Sequence, residues 1–83
     1  MALYFVTYDL RNSRRYQPLY DELENLSAVR ILESTWCFKQ MNTTAKDLRE
    51  HFAQFLDSDD GFVVSEVTGW ASRKTDGTPN DLK

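Results

Sequence analysis

The chain has 83 residues, which is one small domain, because folded domains typically contain about 100–200 residues. Apolar residues make up 41% of it, with three Gly and two Pro, so collagen-like, linker-like and strongly disordered chains are excluded. A single cysteine excludes a disulfide framework and a Cys-rich zinc site, and it predicts a reduced, cytoplasmic setting. No apolar run approaches about 18 residues and no basic leader is present, so we expect neither a membrane span nor a signal peptide.

The net charge of −3 is unevenly distributed along the chain. Residues 1–40 are balanced, residues 41–70 carry most of the negative charge, and residues 71–83 are slightly basic. A domain that binds nucleic acid through its overall charge would be basic, so any such contact here must use a local patch. The best candidate patch is formed by Arg11, Arg14 and Arg15, with Arg30 joining it in space.

The first half of the chain predicts a strand followed by a helix. Residues 3–8 are mostly aromatic or β-branched, both at odd and at even positions. This pattern is typical of a central strand, and the strand stops at Asp9. A polar turn follows, in which Asn12 or Ser13 can cap a helix. The helix is amphipathic, and its apolar stripe consists of Tyr16, Leu19, Tyr20, Leu23 and Leu26.

The second half begins with a β-rich stretch over residues 29–40. We read it as two strands with a tight reversal near Glu33 and Ser34, although one long bent strand fits the pattern nearly as well. Thr44 then opens a second helix, and residues 62–67 form a last strand. The apolar stripe of the second helix consists of Ala45, Leu48, Phe52, Phe55 and Leu56.

The order βαββαβ predicts an α+β, ferredoxin-like domain over residues 1–70, with two helices on one face of an antiparallel sheet. Residues 71–83 are a polar C-terminal tail. The other face of the sheet has no cover in this plan. We expect a second subunit to bury it in a homodimer, and Trp70 and the tail could also contribute.

Asp9 is the most informative candidate for chemistry, because it lies where a buried strand reaches the rim of the domain. One carboxylate is a poor site for Mg²⁺, which prefers several oxygen ligands, but a twofold axis near Asp9 would supply a second one. The alternative is that Asp9 caps the turn and pairs with Arg14 or Arg15.

The remaining candidates each have a structural alternative. Arg14 and Arg15 open the first helix, where cations oppose the helix dipole, so they either contact phosphate or are solvated. Trp36 could stack on a base, although packing in the core or in a dimer is more common. His51 is expected to be a solvated helix residue, and Cys37 a small buried one.

The sequence resembles the small CRISPR-associated ferredoxin-like nuclease family over about residues 3–67. The resemblance rests on a strand ending in Tyr8 and Asp9, on basic residues opening the first helix, and on the spacing of Arg30, Ser34 and Trp36. An acidic loop at residues 57–60 also matches the family pattern. This family includes the dimeric subunit of the spacer-acquisition complex, and its wider superfamily includes the virulence-associated protein D toxins.

The resemblance implies a homodimer whose two copies of Asp9 line a cleft and bind a divalent metal, Mg²⁺ or Mn²⁺. It implies metal-dependent cleavage of RNA or DNA. The residues that we expect to contact the nucleic acid are Arg14, Arg15, Arg30 and Trp36. Because other members act without catalysis, a nucleic-acid-binding scaffold or a toxin-type interaction module is the alternative. The sequence departs from the family pattern in two respects. Its composition is acidic, and it has Ser34-Thr35-Trp36 where the family usually has Ser-Val-Phe.

Overall fold

The computed structural model describes residues 1–11 and 17–83, and it forms a four-stranded antiparallel sheet with two helices on one face. The strands lie in the order β2-β3-β1-β4, which confirms the predicted α+β, ferredoxin-like plan. The elements are β1 (Ala2–Asp9), α1 (Gln17–Asn25), β2 (Val29–Leu32), β3 (Thr35–Gln40), α2 (Ala45–Ala53), β4 (Gly61–Val67) and a short 3-10 helix (Pro79–Asp81).

The core lies between the sheet and the two helices, and the alternation of side chains along β1 determines which residues enter it. Tyr4, Val6 and Tyr8 point toward the helices and are almost completely buried. Their neighbours on β1 point to the opposite side of the sheet, which we call the open face. The buried cluster consists of Tyr4, Val6, Tyr8, Leu19, Leu23, Trp36, Phe38, Leu48 and Phe52.

Residues 29–40 form two strands, as the first of the two sequence interpretations predicted. The chain reverses at Glu33 and Ser34, and the register between β2 and β3 shifts between Arg30 and Leu32. The bulge places Ile31 and Leu32 together beside the open face, where both line the same groove. The predicted start of the first helix, with Tyr16 and the capping residues Asn12 and Ser13, lies outside the described residues.

Helix α2 begins at its predicted cap but ends earlier than its apolar stripe. The Thr44 side chain accepts a hydrogen bond from the backbone N–H of Asp47, which satisfies a donor that the first turn leaves unpaired. The helix ends at Ala53, and Phe55 and Leu56 pack against the core from the turn that follows. The apolar stripe therefore predicted correctly which side chains pack against the core, but the helix is shorter than the stripe.

His51 joins the two helices, a contact that the prediction of a solvated histidine did not include, while its side chain stays 39% exposed. Its Nε2 lies 2.5 Å from Oε2 of Glu22 on α1, and its ring makes edge contacts with Phe52 and Phe55. The Glu22 side chain is only 16% exposed, because the second helix covers it. Packing of the two helices side by side brings together residues that are 29 positions apart.

Residues 70–82 lie across the β2 side of the open face of their own chain. The backbone N–H of Asp76 donates to the carbonyl of Ile31 at 2.9 Å, and Gly77 and Pro79 are buried. A groove of about 290 Å³ remains between this segment, Phe5 and Trp70. The segment thus covers part of the face for which we expected a second subunit.

We expect Gly77→Ala to loosen this C-terminal segment, whereas Gly69→Ala should not. A Cβ at position 77 would lie 2.8 Å from the carbonyl oxygen of Arg30 and 2.9 Å from Cγ1 of Val29, while a Cβ at position 69 meets nothing within 4 Å. Overpacking of this kind typically costs about 1–3 kcal/mol. Thermal unfolding and amide exchange of Asp76 measure the effect, and equal behaviour of the two variants would contradict it.

We also expect a double-mutant cycle of Glu22→Ala and His51→Ala to give a coupling of about 1 kcal/mol at neutral pH, because the Glu22 carboxylate is largely shielded from water. The matched pair is Arg49 and Glu50, whose side chains are 57% and 67% exposed and whose coupling should be about 0.5 kcal/mol or less. Urea unfolding of the seven proteins, with the wild type shared by the two cycles, measures both couplings. A His51 coupling no larger than that of the exposed pair would contradict the assignment.

Candidate functional site

Asp9 ends the central strand on the open face, opposite Gly61 at the start of β4. Its side chain is 73% exposed. The two strands are hydrogen-bonded up to this last pair, so the backbone at Asp9 is held by the sheet while the carboxylate projects beyond it. A shallow depression beside it is lined by Thr7, Arg11 and Val63 among others.

Among the described residues, the partner of Asp9 is Arg11. The Arg11 Nε donates to Oδ2 of Asp9 at 3.2 Å, and the Arg11 backbone N–H donates to Oδ1 of Asp60 at 2.8 Å. The predicted partners Arg14 and Arg15 lie outside the described residues. The structure therefore favours the ion-paired alternative for Asp9, with a different arginine from the two named by sequence.

Behind Asp9, a buried network fixes the end of the sheet. The Trp36 indole N–H donates to the Tyr8 hydroxyl at 3.0 Å, and that hydroxyl donates to the carbonyl of Glu33 at 3.4 Å. A small cavity of about 140 Å³ lies between this network and the rim, lined by Asp9, Ser34 and others. The network holds the β2–β3 turn against β1, so the floor beneath Asp9 is rigid.

Arg30 belongs to this network. Its Nε and Nη2 donate to the carbonyl of Glu33, and Nη2 also donates to the Tyr20 hydroxyl. The guanidinium carbon lies 5.1 Å from the Tyr20 ring centroid and 5.6 Å from that of Trp36. Contacts of a cation with ring faces stabilise it by about 0.5–2 kcal/mol. The structure therefore places Arg30 as a cation that holds the turn after β2.

Trp36 is on the helix-facing side of the sheet and only 7% exposed, beside Tyr20 of α1. Its ring would have to leave the core before a base could stack on it. Cys37 is completely buried, as expected, and this burial raises the pKa of its thiol. Neither side chain is part of an exposed reactive surface.

The carboxylate of Asp9 fits a hard divalent cation in ligand type and in exposure, but one chain brings too few ligands together. Within residues 1–11 and 17–83, no group of three or more His, Cys, Asp or Glu side chains is placed to hold a metal ion. The acidic loop uses Asp60 internally, since its Oδ2 accepts from the backbone N–H of Asp57 at 2.9 Å. Within the described residues, a cation at Asp9 would thus find fewer than three such side chains placed to hold it.

A family model described as CRISPR associated protein Cas2 matches residues 1–75 of the chain. The chain belongs to the Cas2 family. The match includes all four strands and both helices, so it agrees with the resemblance predicted from the sequence. Comparison with solved structures gives no match. Within the described part of the chain, no helix is long and apolar enough to cross a membrane.

In this Cas2 family member, sequence reasoning found the strand-ending Asp9 but did not assign the contact with Arg11. Arg11 stood in the predicted basic patch, and its position two residues after Asp9 was the only local signal. The role of Gly61 was not predicted at all, because its relation to Asp9 depends on the pairing of β1 with β4.

Titration of Tyr8 provides a test of the buried network. Burial, followed by a hydrogen bond with Tyr20, raises the pKa of Tyr8 to about 12, whereas an unfolded tyrosine has a pKa of about 10. The folded state keeps a proton that the unfolded chain loses, so this contribution to stability is complete below about pH 10 and lost toward pH 12.

We therefore expect the stability difference between wild type and Tyr8→Phe to shrink as pH rises from about 9 to 11. At neutral pH the variant should be less stable by about 1–3 kcal/mol, because the Trp36 indole N–H loses its acceptor. Urea unfolding across this pH range measures the difference. A constant difference would show that Tyr8 titrates like an exposed phenol.

Proposed function

We propose that this Cas2 family protein acts in the cytoplasm as a homodimeric, metal-dependent endonuclease on RNA or DNA, with Asp9 of each copy as the catalytic and metal-binding residue. The observation that supports it is the position of Asp9, exposed at the end of the central strand on the open face. A carboxylate held by a rigid strand end and reachable from solvent is suited to share a cation with an identical group.

The open face supports the homodimer. The C-terminal segment covers its β2 side, but Val63 on β4 is 62% exposed and Thr7 and Ser65 are also exposed. The uncovered half is continuous with Asp9, which pairs with Gly61 at the end of the same two strands. A second copy seated here would bury apolar surface and bring two copies of Asp9 toward each other.

Mg²⁺ or Mn²⁺ bound by the two carboxylates would activate water and neutralise phosphate charge. The chain's own residues orient the reaction. Asp9 would hold the cation, and Arg14 and Arg15 would contact the phosphate backbone. Arg30 and Trp36, proposed from the sequence as nucleic-acid contacts, would act by keeping the turn beneath the site in place.

A nucleic-acid-binding dimer without catalysis is the second candidate. The ion pair of Asp9 with Arg11 favours it, because the carboxylate already has a counter-ion. The net charge of −3 opposes binding through overall charge, so this dimer would contact phosphate through a local basic patch.

We expect Asp9→Asn to abolish cleavage of RNA or DNA while leaving the dimer intact. The amide keeps the size of the side chain but removes the charge that a divalent cation requires. Cleavage is measured over a Mg²⁺ and Mn²⁺ series with single-stranded RNA, duplex RNA and duplex DNA, and sedimentation measures the dimer. Asp21→Asn is the matched control, since Asp21 is an exposed carboxylate on α1 that accepts from Gln17.

Equal cleavage by wild type and Asp9→Asn would mean that another site or a contaminant is responsible. Binding without cleavage by both proteins would select the scaffold, and this binding should then fall with Arg14→Ala. A protein that is only monomeric at micromolar concentration would contradict both candidates, because each uses the dimer.

A further inference from the structure

Arg11 lies in a slot that exists because residue 61 is glycine. Gly61 is opposite Asp9 in the β1–β4 pair, on the open face. A Cβ at position 61 would lie 2.7 Å from Nη2 of Arg11, which is closer than real Cβ atoms approach, and 3.2 Å from its Cζ, which is a tight contact. The guanidinium therefore occupies the space that the side chain of residue 61 would otherwise fill.

Further contacts hold Arg11 at this end of the sheet. Its backbone N–H donates to Asp60, its Nη1 donates to the carbonyl oxygen of Asp59 at 3.4 Å, and its Nε donates to Asp9. These partners come from both sides, the end of β1 and the loop that precedes β4. The guanidinium is thus positioned by two parts of the chain and directed at one oxygen of Asp9.

We propose that Arg11 is a positioning residue that competes with divalent cations for Asp9, so that it raises the cation concentration at which the site fills. This inference rests on the proposed function, since it concerns the same carboxylate. Oδ2 of Asp9 already accepts a hydrogen bond from Arg11, and a cation bound there would meet a positive charge at the distance of an ion pair. Cation binding at Oδ2 and the Arg11 contact therefore oppose each other.

The pair is weak enough to be displaced. The side chains of Arg11 and Asp9 are 61% and 73% exposed, and exposed ion pairs contribute little to stability. Gly61 leaves the guanidinium in place without locking it, because only the far end of a flexible side chain occupies the slot. Arg11 thus acts as a replaceable counter-ion that keeps Asp9 neutralised until a divalent cation binds.

The test measures binding of Mn²⁺ alone, without nucleic acid, from the loss of the free-ion signal in electron paramagnetic resonance. Arg11→Gln removes the competing charge, and it should tighten Mn²⁺ binding about two- to fivefold relative to Arg49→Gln. Arg49 is the matched control because it is an exposed arginine on α2 that pairs with Glu50. Both variants change the net charge by the same amount, so the general effect of charge cancels.

Gly61→Ala gives an independent test, because it displaces the guanidinium and keeps its charge. We expect it to tighten Mn²⁺ binding in the same direction as Arg11→Gln, relative to Gly69→Ala, whose Cβ would meet nothing within 4 Å. Thermal unfolding verifies that each variant is folded. Asp9→Asn should abolish the measured binding in every background.

The possible outcomes separate this inference from the proposed function. If Asp9→Asn abolishes Mn²⁺ binding but Arg11→Gln and Gly61→Ala behave like their controls, competition by Arg11 is wrong and the metal site stands. If no variant binds Mn²⁺, or if Asp9→Asn binds it as wild type does, both proposals are overturned. Tighter binding by both variants and none by Asp9→Asn supports the competition.

Discussion

The alternation of side chains along β1 is the constraint on which the rest of the structure depends. As the central strand, β1 pairs with β3 on one side and β4 on the other, so its register is determined on both edges. Tyr8 therefore faces the helices and Asp9 faces the open side. A shift by one residue would bury the carboxylate and expose the phenol, and the cost of burying an unpaired charge excludes that arrangement.

The two sides of this strand end differ in how firmly they are held. On the helix side, Tyr8 and Trp36 share a buried hydrogen bond, and Arg30 joins them through the Glu33 carbonyl and through its contact with the Trp36 ring. On the open side, Asp9 and Arg11 form an exposed ion pair, of the kind that contributes little to stability. A carboxylate at the end of a well-held strand keeps its position, which is an arrangement suited to binding.

A single chain covers only one half of the open face of its sheet. The C-terminal segment hydrogen-bonds to Ile31 and buries Pro79, so the β2 side is covered from within. The β4 side keeps Val63 exposed and ends at Gly61, next to Asp9. The two halves therefore differ in role, one closed by the chain itself and one available to a second molecule.

The sequence by itself determined the element order, the amphipathic faces and the strand-ending position of Asp9. These features depend on local periodicity and on turn residues, which the printed residues carry directly. Only the tertiary structure decided that His51 meets Glu22, that Arg30 is held between two rings, and that Gly61 makes room for Arg11. Each of these contacts joins residues from different elements, and the pairing of strands and the packing of helices bring them together. Their partners therefore cannot be identified from local spacing, because the same residues in another register would have other neighbours.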